Sequence, residues 1–273
     1  MRDKPLRLEN VSRSFGEIEV LRNLSLFVEV GEFVAVVGPS GCGKTTLLNL
    51  FSGFDEPTMG RVVCEGRVRM VYQQDGLFPW STVAENISMG LREIRDEQER
   101  QRQLEEILSL IKLKGFERHY PHQLSGGMRQ RVELARALSG ETDTLLLDEP
   151  FSALDYLTRL RLRRELSRML KERPRTVVLV THDIEEAAQL ADRVVVLSER
   201  PATIRGELRL DLERPRDPTH PLVVQAVHHI LTELGLERAT ENSSPREEAI
   251  EAAFGDKLSA ISHQPSATAT EGD

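Results

Sequence analysis

Hydrophobic positions follow two rhythms along this chain, and the changes of rhythm divide it. Leu6, Leu8, Val11, Val20, Leu21, Leu24, Leu26, Val28 and Val30 alternate with polar residues and are interrupted by Gly16 and Gly31. That pattern predicts short antiparallel strands joined by turns. Uninterrupted apolar runs follow at residues 33–37, 144–147, 176–181 and 193–197. Such runs read as strands of a parallel sheet covered on both faces. Residues 61–73 carry a further strand pair that ends at Val71-Tyr72-Gln73. From residue 83 to about residue 138 the strands stop. There Leu104, Ile107, Leu108 and Ile111 fall at i, i+3, i+4 and i+7, one face of an amphipathic helix. The charged residues 92–106 read as a solvated helix face. This helical block interrupts a strand–helix alternation and reads as an inserted subdomain. Further helices are expected near residues 158–172, 184–191 and 221–234, with Leu208, Leu210 and Leu212 forming an edge strand. From about Glu237 the chain turns to Ser, Thr, Ala, Glu and Pro. Residues 236–273 are therefore expected to be a largely disordered tail, with one short helix near 247–254.

Chemistry concentrates where apolar runs end. Gly38-Pro39-Ser40-Gly41-Cys42-Gly43-Lys44-Thr45-Thr46 follows one strand-like run and precedes a helix expected to start at Thr46. It fits the phosphate-binding P-loop, and the strand–loop–helix context is what that motif requires. Glycines let backbone N–H groups wrap phosphate oxygens, and the helix N-terminus adds positive potential. Lys44 then reaches the β- and γ-phosphates and the Thr45 hydroxyl is a ligand for Mg2+. The run ending at Asp148-Glu149 offers an acid for Mg2+ and a second that orients or deprotonates water. Another run ends at His182, a hydrogen-bond donor for a phosphate oxygen. In a parallel sheet Gly38, Gln73, Asp148, Glu149 and His182 all come to one edge, where such sheets bind ligands. Ser125-Gly126-Gly127 opens a helix, as a plain cap or as a second anion site. Phe15 reads as packing or as a flat face for a nucleobase. The irregular stretch 76–83, with the only tryptophan, reads as a loop anchored on the core or as a docking surface.

Composition narrows the class. With 39% hydrophobic and 29% charged residues the chain reads as soluble and globular. No apolar run approaches the roughly 20 residues that span a bilayer, and the first residues lack the apolar core of a signal peptide. A cytoplasmic protein is expected. A net charge of −8 argues against a broad nucleic-acid surface. The two cysteines, Cys42 and Cys64, are too few for a disulfide framework or a cysteine-rich metal site. Cys42 is either a small filler within the P-loop or a thiol whose alkylation blocks nucleotide binding.

Leu124-Ser125-Gly126-Gly127-Met128-Arg129-Gln130-Arg131, between a P-loop and Leu147-Asp148-Glu149-Pro150, resembles the ATP-binding subunits of ABC transporters over residues 6 to about 200. The resemblance implies an ABC ATPase domain at 6–235: an α/β core with a mostly parallel sheet, an antiparallel β-subdomain and a helical subdomain at about 83–140. It implies a head-to-tail dimer, of like or paired subunits, with two ATPs sandwiched between them. Phe15 would stack on adenine, and Gln73 would touch Mg2+ and link to the membrane partner. Ser125 and Gly127 would contact the γ-phosphate held by the other protomer. Glu149 would be the catalytic base, Asp155 an acid across the interface, and His182 the switch histidine. Leu77-Phe78-Pro79-Trp80-Ser81-Thr82-Val83 and Ser198-Glu199-Arg200-Pro201-Ala202-Thr203-Ile204 look like the nitrate, sulfonate and taurine importer ATPases. The implied protein is peripheral on the cytoplasmic face of the membrane, works with an integral permease and an extracytoplasmic solute-binding protein, and binds no nucleic acid. An exporter or lipid-transport ATPase is the nearest alternative. A soluble ABC ATPase of DNA repair or translation is a more distant one: ribosomal relatives usually carry two cassettes in one chain, and DNA-repair relatives a long coiled coil before the Ser-Gly-Gly motif. A metabolic P-loop kinase leaves Ser125-Gly126-Gly127 unexplained.

Overall fold

The computed structural model describes residues 5–72, 76–140, 142–172 and 174–236. Gln73 and the tail expected from residue 237 lie outside the described residues. The strands are β1 (Leu6–Phe15), β2 (Ile18–Val28), β3 (Phe33–Val37), β4 (Met59–Cys64), β5 (Val68–Val71), β6 (Thr144–Asp148), β7 (Thr176–Val180), β8 (Arg193–Leu197) and β9 (Ile204–Arg209). The helices are α1 (Lys44–Ser52), α2 (Val83–Ser88), α3 (Glu97–Leu110), α4 (Gly126–Leu138), α5 (Tyr156–Glu172), α6 (Ile184–Leu190) and α7 (Pro221–Leu234).

Every residue of β3, β6, β7 and β8 is buried, which is why these segments show no polar alternation. They lie in a six-stranded sheet of order β5-β6-β7-β3-β8-β9. All neighbouring pairs run parallel except β8 with β9. Along β3 the pleat sends Phe33, Ala35 and Val37 to one face, where Leu162, Leu166, Ala187, Val223 and Ile230 of α5, α6 and α7 cover them. Val34 and Val36 go to the other face, under Leu47 and Leu48 of α1 and Leu6, Leu21 and Leu26 of the antiparallel sheet. That second sheet has the order β2-β1-β4. A separate core of Val83, Ile87, Leu104, Leu108, Ile111 and Val132 holds the inserted helices together, so the helical block has its own apolar centre.

The structure departs from the sequence expectations in instructive places. The antiparallel strands are not short: β1 and β2 run 10 and 11 residues. Register shifts along them and left-handed backbone at Asn10 and Asn23 absorb the breaks in alternation. Residues 61–73 do not form one pair. β4 joins β1, whereas β5 joins β6. Arg67 switches sheets because its N–H donates to Asp143 Oδ2 (2.8 Å) and its carbonyl accepts from Thr144 N–H (3.1 Å). The edge strand begins at Ile204, and Leu210 and Leu212 pack on the core from irregular chain beyond it. The chain turns back early there, with Ser198 N–H donating to Thr203 O at 2.9 Å. α1 starts at Lys44 rather than Thr46, and α5 at Tyr156, two positions ahead of the expected start.

One polar knot fixes the chain beyond β7. Thr181 Oγ1 donates to Glu186 Oε2 (2.7 Å), and Asp183 Oδ1 caps α6 by accepting from Glu186 N–H (2.9 Å). Arg163 of α5 donates to Asp183 Oδ2 (2.5 Å) and lies 3.5 Å from Glu186. Glu186 is only 3% exposed, and no described group hydrogen-bonds its Oε1. Burial pushes its carboxyl up from 4.5 to about 7, against the pull of Arg163. A raised acid pKa means the folded chain holds the extra proton, so this group's stabilising contribution is greatest at low pH and is lost as pH rises from about 4.5 to about 7. Glu186→Gln is therefore expected to gain on the wild type between pH 5 and pH 8, by ~1–3 kcal/mol in denaturant titrations. Parallel pH profiles would place this carboxyl in the ordinary range.

Candidate active site

The P-loop spans the gap between β3 and α1. Gly41 and Gly43 have φ of 73° and 117°, the left-handed region that glycine tolerates. Gly43 also has no room: a Cβ there would sit 2.7 Å from Val20 Cγ1 and 2.9 Å from Leu21 Cδ2. Gly43 is the N-cap of α1, and no side chain caps the helix. The first-turn N–H groups are thus left for a ligand. Lys44 is buried, and its Nζ donates to Gly38 O (2.8 Å) and Pro39 O (2.9 Å). These carbonyls hold the ammonium within the loop.

Beside this loop opens a cavity of about 790 Å3, the size of a small-molecule site. Phe15, Ser40, Gly41, Gly43, Lys44, Thr45 and Thr46 line one part of it, and Asp148, Glu149 and His182 another. Phe15 is 48% exposed, and the Arg13 guanidinium lies 4.3 Å from its ring centroid. Cys42 is buried, and burial pushes its thiol up, which fits the filler reading.

The acids stand at the end of β6. Asp148 is buried; burial pushes its carboxyl up, while a hydrogen bond from Thr45 pulls it down. Glu149 has φ 47°, rare for a residue with a Cβ. Its backbone is held on both sides: its N–H donates to Val180 O (2.9 Å), and its carbonyl accepts from Gln130 Nε2 (3.2 Å) and Ser152 Oγ (3.0 Å). Such over-determination is what keeps a strained conformation in place. Glu149 Oε1 then lies 3.0 Å from His182 Nδ1.

Ser125, Gly126, Gly127 and Asp155 do not line this cavity. Ser125 Oγ caps α4 by accepting from Met128 N–H at 3.3 Å. Gly127 faces the loop after β6, where an added Cβ would lie 3.3 Å from Ala153 O. Asp155 accepts from Thr158 N–H (3.0 Å); the Thr158 hydroxyl first, and this N–H with it, hold the carboxyl below the usual range.

Sequence reasoning missed two residues of α4. Gln130 holds Glu149 O and also accepts from Ala153 N–H at 3.1 Å. Glu133 accepts from Tyr72 N–H (3.1 Å) and Gly76 N–H (3.3 Å), the residues on either side of 73–75. No local signal marked them: both are polar residues of an amphipathic helix, and only the fold shows that they are buried.

A family model described as ABC transporter matches residues 21–152. The chain is 46% identical over 217 residues to an aliphatic sulfonates import ATP-binding protein of Rhodococcus jostii, covering 77% of this chain and 85% of that protein. It is 43% identical over 213 residues to a nitrate import ATP-binding protein of Synechococcus elongatus, covering 74% of this chain and 32% of that longer protein. A solved dimeric structure of an ATP-binding cassette in a post-hydrolysis state, bound to ADP and Pi, superposes with a TM-score of 0.68 at 33% identity. It covers 76% of this chain and 99% of that one. With the P-loop cavity and the Glu149–His182 pair described above, these likenesses identify the chain as a member of the ABC transporter family, one of its ATP-hydrolysing cassettes.

Proposed function

We propose that this chain is the ATPase subunit of an importer for a small anion of the nitrate or sulfonate type. The observation that carries the chemistry is the meeting of the P-loop, Asp148 and the 3.0 Å Glu149–His182 pair around one cavity. The solute class rests on the likeness to the sulfonate and nitrate import proteins.

ATP lies with its phosphates against the N–H groups of residues 41–46 and its base against Phe15. Lys44 leaves the Gly38 and Pro39 carbonyls for the β- and γ-phosphates. Thr45 hydroxyl and Asp148 carboxylate are hard oxygen donors joined by a hydrogen bond, a set that suits Mg2+. Thr45, Asp148 and Gln73 would hold that ion, which would supply charge neutralisation on the phosphates. Glu149 accepts the proton of the water that attacks the γ-phosphorus, and the bond to the β–γ bridging oxygen breaks to give ADP and phosphate. His182, beside the Glu149 carboxylate, donates to a γ-phosphate oxygen.

Ser125, Gly126, Gly127 and Asp155 complete the site of a second protomer. This reading accounts for their place outside the cavity of their own chain, and the superposed cassette is dimeric. The importer reading adds a permease and an extracytoplasmic solute-binding protein. Among the described residues no helix is long and apolar enough to cross a membrane, and a peripheral place on the cytoplasmic membrane face fits this subunit. Phe78 and Trp80, 37% and 72% exposed with ring centroids 5.5 Å apart, offer the permease an aromatic surface. Asn86 anchors that surface by accepting from Phe78 N–H (2.9 Å) and donating to Ser81 O (2.9 Å).

Glu149→Gln is expected to bind ATP within a few-fold of wild type, lose at least about 100-fold in turnover, and accumulate as a dimer on size exclusion with ATP. Normal turnover would remove Glu149 from the base role. Ser125→Arg is expected to leave ATP binding to the monomer intact while abolishing that dimer. A normal ATP-dependent dimer would leave Ser125 as a helix cap only.

A further inference from the structure

The fold puts the stretch from Ser198 to Ile204 against the P-loop. Leu197 packs on the loop's first glycine: a Cβ at Gly38 would lie 3.1 Å from Leu197 Cβ. Beyond it the chain is fastened to the antiparallel sheet. Ala202 N–H donates to Val20 O (2.8 Å), and Arg22 N–H donates to Ala202 O (3.0 Å). Thr203 N–H closes the turn on Ser198 Oγ (3.0 Å). Held at these points, the loop lays the exposed Arg200 along the P-loop, where its guanidinium donates to the Gly41 carbonyl. Arg200 also lines the cavity that holds Lys44, Thr45 and Phe15. Among the described residues it has no carboxylate partner, unlike Arg193, which donates to Glu32 and Glu207.

A guanidinium has five N–H donors in a rigid fork, so a bond to one carbonyl leaves most of them unspent. Anchoring one edge of the fork lowers the side-chain entropy that binding must otherwise remove. Phosphate oxygens are the partners such a fork fits best. We propose that Arg200 is a nucleotide-binding residue: its guanidinium, held on the Gly41 carbonyl, donates to the phosphate chain of the nucleotide bound in this cavity. This rests on the cavity being the ATP site.

The test is equilibrium titration of the full chain with Mg-ADP, together with steady-state ATP hydrolysis. Arg200→Ala is expected to weaken ADP binding about tenfold and raise KM by a similar factor with kcat little changed. Arg200→Lys keeps the charge but not the fork and is expected to fall between wild type and the alanine variant. Arg200→Gln keeps a donor for Gly41 O without the charge and is expected to behave as the alanine variant does. Affinity within about twofold of wild type in Arg200→Ala overturns the proposal. So does full affinity in Arg200→Gln, which would reduce Arg200 to a brace for the loop. Lys44→Ala in the same titration separates the two readings. It should lose ADP affinity, and if it does not, the cavity is not the nucleotide site and the failure lies there, not in Arg200.

Discussion

Much of this molecule hangs on the absence of one methyl-sized volume at Gly43. The P-loop there passes so close to β2 that Val20 and Leu21 occupy the space a side chain would need. That approach lets the antiparallel sheet share an apolar layer with α1 and the outer face of β3. It also brings Phe15, at the end of β1, to the rim of the phosphate cradle. The stretch after β8 closes the arrangement from the other side by pairing Ala202 with Leu21. Phe15 and the P-loop residues that share the cavity come from different sheets, and tight packing at one glycine sets the distance between them.

The second constraint is conformational. Glu149 adopts a positive φ that costs on the order of 1 kcal/mol or more. The compensation comes from three separate segments: Val180 of β7, Gln130 of α4 and Ser152 of the following loop. The geometry that sets its carboxylate beside His182 therefore depends on the helical subdomain as well as on the sheet. An account built only from the residues lining the cavity would leave Gln130 out.

How much could be read in advance follows from which forces are local. The buried runs of β3, β6, β7 and β8 announced themselves because burial on both faces removes polar alternation. Gly38, Asp148, Glu149 and His182 could be placed together because parallel strands share an edge. What stayed hidden was set by partners far along the chain. β4 and β5 looked like a pair until the Arg67 contacts to residues 143 and 144 sent them to different sheets. β9 ended before Leu210 and Leu212 because the turn after β8 is tight. Gln130 and Glu133 looked like ordinary helix surface, since nothing local says that their polar heads are buried.

Those two side chains give α4 a mechanical character. A helix rises about 1.5 Å per residue, so Ser125 and Glu133 stand roughly 12 Å apart on one stiff rod. One end of the rod carries the Ser-Gly-Gly surface, its middle grips the Glu149 backbone, and its far part grips the chain on either side of residues 73–75. A displacement of the helix's leading tip is therefore passed both to the Glu149 backbone and to the chain on either side of residues 73–75, which leads to the aromatic surface at Phe78 and Trp80.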